Sequence, residues 1–254
     1  MVTISKMDVE EFFKVQKRYN PETSENGWMP VEELRGLIDK KKSISTRKGV
    51  YTWWFKESCV EKFLKPLTDK GLLTDKIIVR TFPGLKEKYW LLYVGIASAE
   101  DGIDNRFKWH IAQKHKPSNI KKGYLSTLRR TISALLFCEH GCCEKAGILL
   151  NSNDDVNEKA EIELNKFMNE NCILQWFVFD DEGGKAIEKS QLEALETKII
   201  EHKNDRGEKT GYFPLNIQKN WIYSKSKNKN NETLKKYYII KQELTDRRKK
   251  VCKK

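Results

Sequence analysis

Arg106 and His110 stand four residues apart in the stretch Asp104-Asn105-Arg106-Phe107-Lys108-Trp109-His110. On a helix that spacing sets both side chains on one face, one turn apart. Arg presents a planar fork of donors that matches phosphate oxygens, and His exchanges a proton near neutral pH. The pair is therefore fitted to gripping a phosphate while a proton moves, although a solvated helix face carries such pairs too. A third residue, Glu196, has an unusual setting. In a helix expected from Glu188 to His202, Leu192, Leu195 and Ile199 mark the buried stripe, and Glu196 has Leu192 at i−4, Ile199 at i+3 and Ile200 at i+4. A carboxylate on a buried stripe is costly unless it pairs with a cation or coordinates a metal. Glu193, with Glu196 and Thr197 one turn on, has an ordinary exposed setting.

The elements that must hold these residues follow from the pattern around them. Asp104 is placed to cap a helix whose apolar edge is Phe107 and Ile111. Just before it, Trp90-Leu91-Leu92-Tyr93-Val94-Gly95-Ile96 is a short apolar run, as expected of a buried strand. Gly49 to Phe55 is a second, aromatic strand carrying Tyr51, with Trp53 and Trp54 as packing residues. Between them the sequence predicts a helix over Cys59 to Leu67, a stop at Gly71 and a strand at Ile77-Ile78-Val79. Downstream, Leu125, Leu128, Ile132, Leu135 and Leu136 form a core stripe, with Arg129 and Arg130 projecting from its other side. Ala160, Leu164, Phe167 and Met168 mark another helix, and Cys172 to Phe179 is apolar enough for a strand inside a sheet. Gly211 to Asn216 reads as a loop returning to that sheet. Ahead of all this, Val9, Phe12 and Phe13 make a short amphipathic piece, and Pro30 opens a helix with Leu34, Leu37 and Ile38 on one side.

Charge is placed as unevenly as the apolar residues. The chain of 254 residues has a net charge of +12. From Lys219 onward 13 Lys/Arg face 3 Asp/Glu, a net of +10, so the body is close to neutral. Within that body, Asp104 to Arg130 holds eight Lys/Arg and one Asp, whereas residues 151 to 208 hold 15 acids and 7 bases. A local excess of cations attracts phosphates, and the acidic region should face away from them. Lys40-Lys41-Lys42 through Arg47-Lys48 is a basic linker with the character of a solvated connector. Six Cys in a chain of this length do not suggest a disulfide scaffold. The cluster Cys138, Cys142 and Cys143, with His140, lacks the paired-knuckle spacing of a zinc site. No apolar run approaches a membrane span, and a start with Lys6, Asp8, Glu10 and Glu11 is not a secretory leader. A cytoplasmic protein without membrane attachment is expected.

Read together, the motifs carry a resemblance. Gly49-Val50-Tyr51, then Tyr93-Val94-Gly95, then Arg106, His110, Glu196 and Asn216 in that order resemble the GIY-YIG nuclease superfamily. The Tyr-Trp-Trp ending of the first motif and Leu125-Ser126-Thr127-Leu128-Arg129-Arg130 resemble a bacterial subgroup of it. The likeness runs from about Arg47 to Trp221. An insertion over about 56–88 separates the motif strands by more than the family's short turn. Six elements in order carry weight that no single tripeptide has.

The resemblance implies an α/β (α+β) domain with a small, mainly antiparallel sheet flanked by helices, over residues 47–223. An N-terminal helical extension (1–46) and a basic tail (224–254) would flank it. It also implies phosphodiester hydrolysis on DNA, double-stranded, with Mg²⁺ or another divalent cation such as Mn²⁺ held by Glu196. Arg106 would neutralise the transition state, and Tyr51 would act as general base or orient the water. An unperturbed phenol titrates near ~10, so Tyr51 would need help from Arg106 or the metal. Tyr93 and His110 would position water and phosphate, and Asn216 would order the site. A catalytically inactive DNA-binding relative and an RNA nuclease stay open, as do the oligomeric state and the choice between restriction and repair.

Overall fold

The computed structural model describes residues 9–70, 72, 74–112, 126–136, 158–179, 187–202, 213–216, 242 and 246. Among them are five strands: β1 (Gly27–Pro30), β2 (Gly49–Lys56), β3 (Val79–Thr81), β4 (Lys88–Ala97) and β5 (Cys172–Val178). They join in one antiparallel sheet of order β1-β5-β2-β4-β3. Among the described residues six α-helices pack around it: α1 (Val31–Asp39), α2 (Glu57–Thr68), α3 (Gly102–Phe107), α4 (Thr127–Leu136), α5 (Glu158–Asn171) and α6 (Lys189–Ile200). The mixed α/β fold with an antiparallel sheet is the one expected.

β2 lies at the centre, and its residues are buried from Gly49 to Phe55 because both faces of the sheet are covered. Alternation sends Tyr51, Trp53 and Phe55 into one core with residues of α1 to α5. Val50 and Trp54 enter the other, with Phe12, Phe13 and the apolar stripe of α6. Full burial of each large side chain contributes on the order of 1.5–3 kcal/mol, so the aromatic run is a reason for the strand's central place. Trp53 and Trp54 are wholly buried packing residues, as expected. The motif strands pair with each other across the insertion, with one register shift between Trp53 and Trp54. β2 pairs directly with β4, α2 packs Val60, Phe63, Leu64 and Leu67 into the core against Phe55, and β3 lies on the far edge of β4. That strand starts at Val79, two residues later than expected, because Thr74–Lys76 forms a 3₁₀ turn that Ile77 closes by donating its N–H to the Thr74 carbonyl.

Two local expectations are corrected. The segment before residue 47 was expected to be helical, and Val9–Phe13 (a 3₁₀ turn) and α1 agree, but Gly27–Pro30 forms the edge strand β1 against β5. Four residues are too few to show a strand's period, and Pro is tolerated at such an edge. Asp104 is not the cap of its helix, for α3 begins at Gly102. The N–H groups of Ile103 and Asp104 donate to the carbonyls of Arg47 and Ser45, so the linker's backbone replaces a side-chain cap. The Asp104 carboxylate is turned to the linker instead, accepting from Ser43 Oγ at 2.6 Å, Ile44 N at 2.6 Å and Ser45 N at 3.1 Å. The chain entering β2 is thereby tied to the helix that leaves β4. No helix among the described residues is long and apolar enough to cross a membrane.

Candidate active site

The Tyr51 hydroxyl is the meeting point of the site. Arg106 Nε donates to it at 2.9 Å, and His110 Nε2 lies 2.7 Å from it. After Phe107 the helix widens into a π-helical turn over Lys108–Ala112, so Arg106 and His110 reach one oxygen from two successive turns. His110 Nδ1 is held in turn by Ser126 Oγ at 2.7 Å. A chain Arg106–Tyr51–His110–Ser126 results. Its two central side chains, Tyr51 and His110, are fully buried, packed by Phe107 at 5.9 Å and Trp53 at 5.9 Å between ring centroids respectively.

The second motif explains itself in this geometry. Gly95 lies opposite Tyr51 across the β2–β4 pair. A Cβ on Gly95 would stand 2.5 Å from Tyr51 Oη and 2.9 Å from a ring carbon of Tyr93. Only glycine lets the phenol lie across the neighbouring strand. Gly49 serves β5 likewise, where a Cβ would run into the Phe177 carbonyl. Tyr93 stands beside Tyr51 with ring centroids 6.3 Å apart, and its hydroxyl is within hydrogen-bond reach of Thr127 and Tyr51.

Electrostatics keep the chain in a defined protonation state. Burial pushes the Tyr51 phenol well above its ordinary range, with Arg106 opposing. Tyr93 is raised in the same way. The Tyr51 phenol, above all, holds the Arg106 guanidinium firmly protonated despite its burial. Burial, then the charges of Arg106 and Arg129, depress His110 well below its usual range, so the imidazole is neutral. A neutral ring that meets one hydroxyl at each nitrogen can accept a proton at one and donate at the other.

Glu196 is buried on α6, where the sequence pattern places it, while Glu193 is not. Its negative charge acts on Tyr51, Tyr93 and Arg106, which ties α6 to the site electrostatically. Asn216 works on backbone. Its Oδ1 accepts from Val94 N at 2.9 Å and its Nδ2 donates to Val94 O at 2.7 Å, while Leu215 N donates to Leu92 O at 3.1 Å. This segment completes the edge of β4 where β3 has ended, between the residues Tyr93 and Gly95. The structure thus gathers Tyr51, Tyr93, Arg106 and His110 around one hydroxyl, couples Glu196 to them by charge, and sets Asn216 behind the strand.

Some residues at the site escaped the sequence. Ser126, immediately before α4, accepts from Arg129 N at 3.1 Å while bonding His110. A Ser three residues before a helical N–H is the usual capping signal, and it was there to be read. Arg129 corrects an expectation, for it does not project from the core stripe. It is buried against Glu161 at 2.7 Å, so it adds nothing to the outward basic charge counted around the site. Cys138, Cys142 and Cys143, Lys114 to Lys122 and the tail (except 242 and 246) lie outside the described residues. Among the described residues no group of three His, Cys, Asp or Glu stands together as a metal cage.

A family model for a GIY-YIG catalytic domain matches residues 49–237. No curated protein and no solved structure gives a match.

Proposed function

The chain belongs to the GIY-YIG family, whose domain is that of a nuclease, and from that premise we propose that it is a divalent-metal-dependent DNA endonuclease of restriction or repair type. The convergence of Arg106 and His110 on the Tyr51 hydroxyl carries this reading. Tyr51 orients the attacking water and takes its proton as its own proton passes to His110 Nε2. Neutral His110 has the lone pair to receive it, and Ser126 steadies the imidazolium that forms. The phenol need not ionise in advance, which its burial would oppose. Arg106 binds the scissile phosphate and offsets the negative charge that builds on it. Tyr93, beside Tyr51, helps to position the water and the scissile phosphate, and Asn216 keeps its strand in register.

The donor set fits a cation that keeps most of its waters. Glu196 is one hard carboxylate whose charge reaches the site residues, without a cage of further ligands among the described residues. Mg²⁺, or Mn²⁺ in its stead, is commonly held in this way, by one or two carboxylates, substrate phosphate and water. When bound, such an ion polarises the phosphate and stabilises the leaving oxygen. DNA as substrate is supported by the net charge of +12, concentrated in the tail.

Incubation with supercoiled plasmid and with genomic DNA, with and without Mg²⁺, tests the proposal. Metal-dependent nicks or bands support it, with discrete bands favouring restriction. Intact DNA under all conditions, beside binding that ignores the metal, points to an inactive relative, and cleavage of RNA alone points to an RNA nuclease.

A further inference from the structure

The buried pair Arg129–Glu161 lies one step behind His110. Both side chains are removed from water, at 0% and 6% exposure, and Nη2 of Arg129 meets Glu161 at 2.7 Å. Nη1 points to the π-helical turn and donates to the carbonyls of His110 at 3.2 Å and Ile111 at 3.4 Å. It also donates to Asn165 Oδ1 at 2.9 Å, which accepts from Arg35 of α1 as well. A guanidinium that donates to two successive backbone carbonyls holds that stretch of backbone in place. The first turn of α4 therefore holds His110 twice: Ser126 on its ring and Arg129 on its backbone.

We infer that Arg129, with Glu161 as its counter-ion, is a positioning residue that fixes the π-helical turn so that His110 Nε2 meets the Tyr51 hydroxyl. A core ion pair serving stability alone has no need to aim its donors at the backbone of the histidine that meets Tyr51. The pairing with Glu161 has a second effect. Arg129 is close enough for its charge to act on His110, and Glu161 offsets that charge, so the guanidinium grips the turn without abolishing the basicity of the ring. Among the described residues, the charged and titratable groups that face His110 are Tyr51 from β2, Arg106 from α3 and Arg129 from α4. Glu161 of α5 acts through Arg129, and Glu196 of α6 through Tyr51 and Arg106.

The test is the ionisation of His110, followed by NMR in the resting protein and by the acid limb of the pH–rate profile for plasmid cleavage. The inference rests on the nuclease reading for the kinetic arm only. A parent that never cleaves overturns that reading and leaves the NMR arm intact. Arg129→Gln removes a charge and raises the His110 pKa by about one unit, as loss of a neighbouring like charge does. Glu161→Gln leaves the charge of Arg129 uncompensated and moves the same titration down. Arg129→Lys keeps the charge but loses the fork, so the titration stays near the parent's while cleavage slows about tenfold or more. Opposite movement in the two Gln variants supports the inference. An unmoved His110 titration, with only the melting temperature lowered, overturns it. Should Arg129→Gln fail to fold, the downward shift in Glu161→Gln and the slow cleavage of Arg129→Lys decide alone, and the absence of both refutes the role.

Discussion

Gly95→Ala adds one methyl group at the point where the two motif strands are closest to the chemistry. The new Cβ would stand 2.5 Å from Tyr51 Oη and 2.6 Å from Cζ, where ordinary contact begins at 3.4 Å. The hydroxyl must retreat by 3.4 − 2.5 = 0.9 Å. Its ring has little room to turn, with the centroids of His110 at 5.4 Å and Phe107 at 5.9 Å. Overpacking of this kind costs ~1–3 kcal/mol, and Ala in place of Gly in a strand returns about 0.5–1 kcal/mol. A net loss of about 1–2 kcal/mol is expected, which lowers the melting temperature of a protein of this size by several degrees. Catalysis should suffer far more, since a displacement of about 1 Å in a reacting group costs on the order of 10²-fold. Single-turnover cleavage of plasmid with Mg²⁺, beside thermal melting and DNA binding, separates the two effects. Gly36→Ala is the control, because nothing lies within 4 Å of a Cβ there and the residue sits inside α1. It should match the parent or gain up to ~1 kcal/mol. A Gly95→Ala protein that is folded and cleaves at the parental rate would refute the argument that this glycine places Tyr51.

Glu196→Gln should fold and bind DNA yet cleave at background, while Glu193→Gln stays active; the reverse pattern in a Mg²⁺ titration would move the metal to the other acid. Arg106→Lys retains the charge but not the fork, and Tyr51→Phe retains the ring but not the hydroxyl. Both should lower single-turnover rates by about 10²–10³ with DNA affinity nearly kept, and parental rates in both would remove this chain from the proposed mechanism. His110 is depressed in the folded state, so below its ordinary pKa near ~6.5 the unfolded chain takes up a proton that the folded chain refuses. Stability is then lost as pH falls from about 6.5, by at most ~1.4 kcal/mol per pH unit from this group. Denaturant unfolding of the parent and of His110→Gln between about pH 5 and 7 checks this, the slope being shallower in the variant; equal slopes would mean that His110 is not buried neutral.

Strand β4 and helix α6 were legible because each pattern has one physical cause. An unbroken apolar run fits a strand covered on both faces, and Leu192, Leu195 and Ile199 fit a single buried stripe that carries Glu196 with it. Tyr51, Arg106 and His110 could be selected from motif order. Their convergence on one hydroxyl depends on the π-helical turn, for which the spacing of four residues gives no sign. Arg129 was misplaced for a related reason. Periodicity assigns charged residues to the wet side of a helix, and it has no means to register that Glu161, in another helix, supplies the counter-ion that makes burial tolerable. β1 escaped because it borrows its hydrogen bonds from β5, about 145 residues further along. Asp104 was misplaced as a helix cap because its carboxylate takes its partners from the linker, about 60 residues earlier.

The clasp of Asn216 on Val94 has a bearing on when activity arises during synthesis. A ribosome extends the chain from its N-terminus, and β2, β4 and the Arg106–His110 turn all emerge before residue 113. β5 emerges some 60 residues later, Glu196 later still, and Asn216 last, so contacts of very long sequence separation must close before the catalytic strand has its full set of partners. Such contacts form late and slowly. A translation product cut short before Asn216 would hold the tyrosines, the arginine and the histidine, but with the Val94 edge open. Completion of the site is thereby tied to completion of the matched domain, which runs to residue 237.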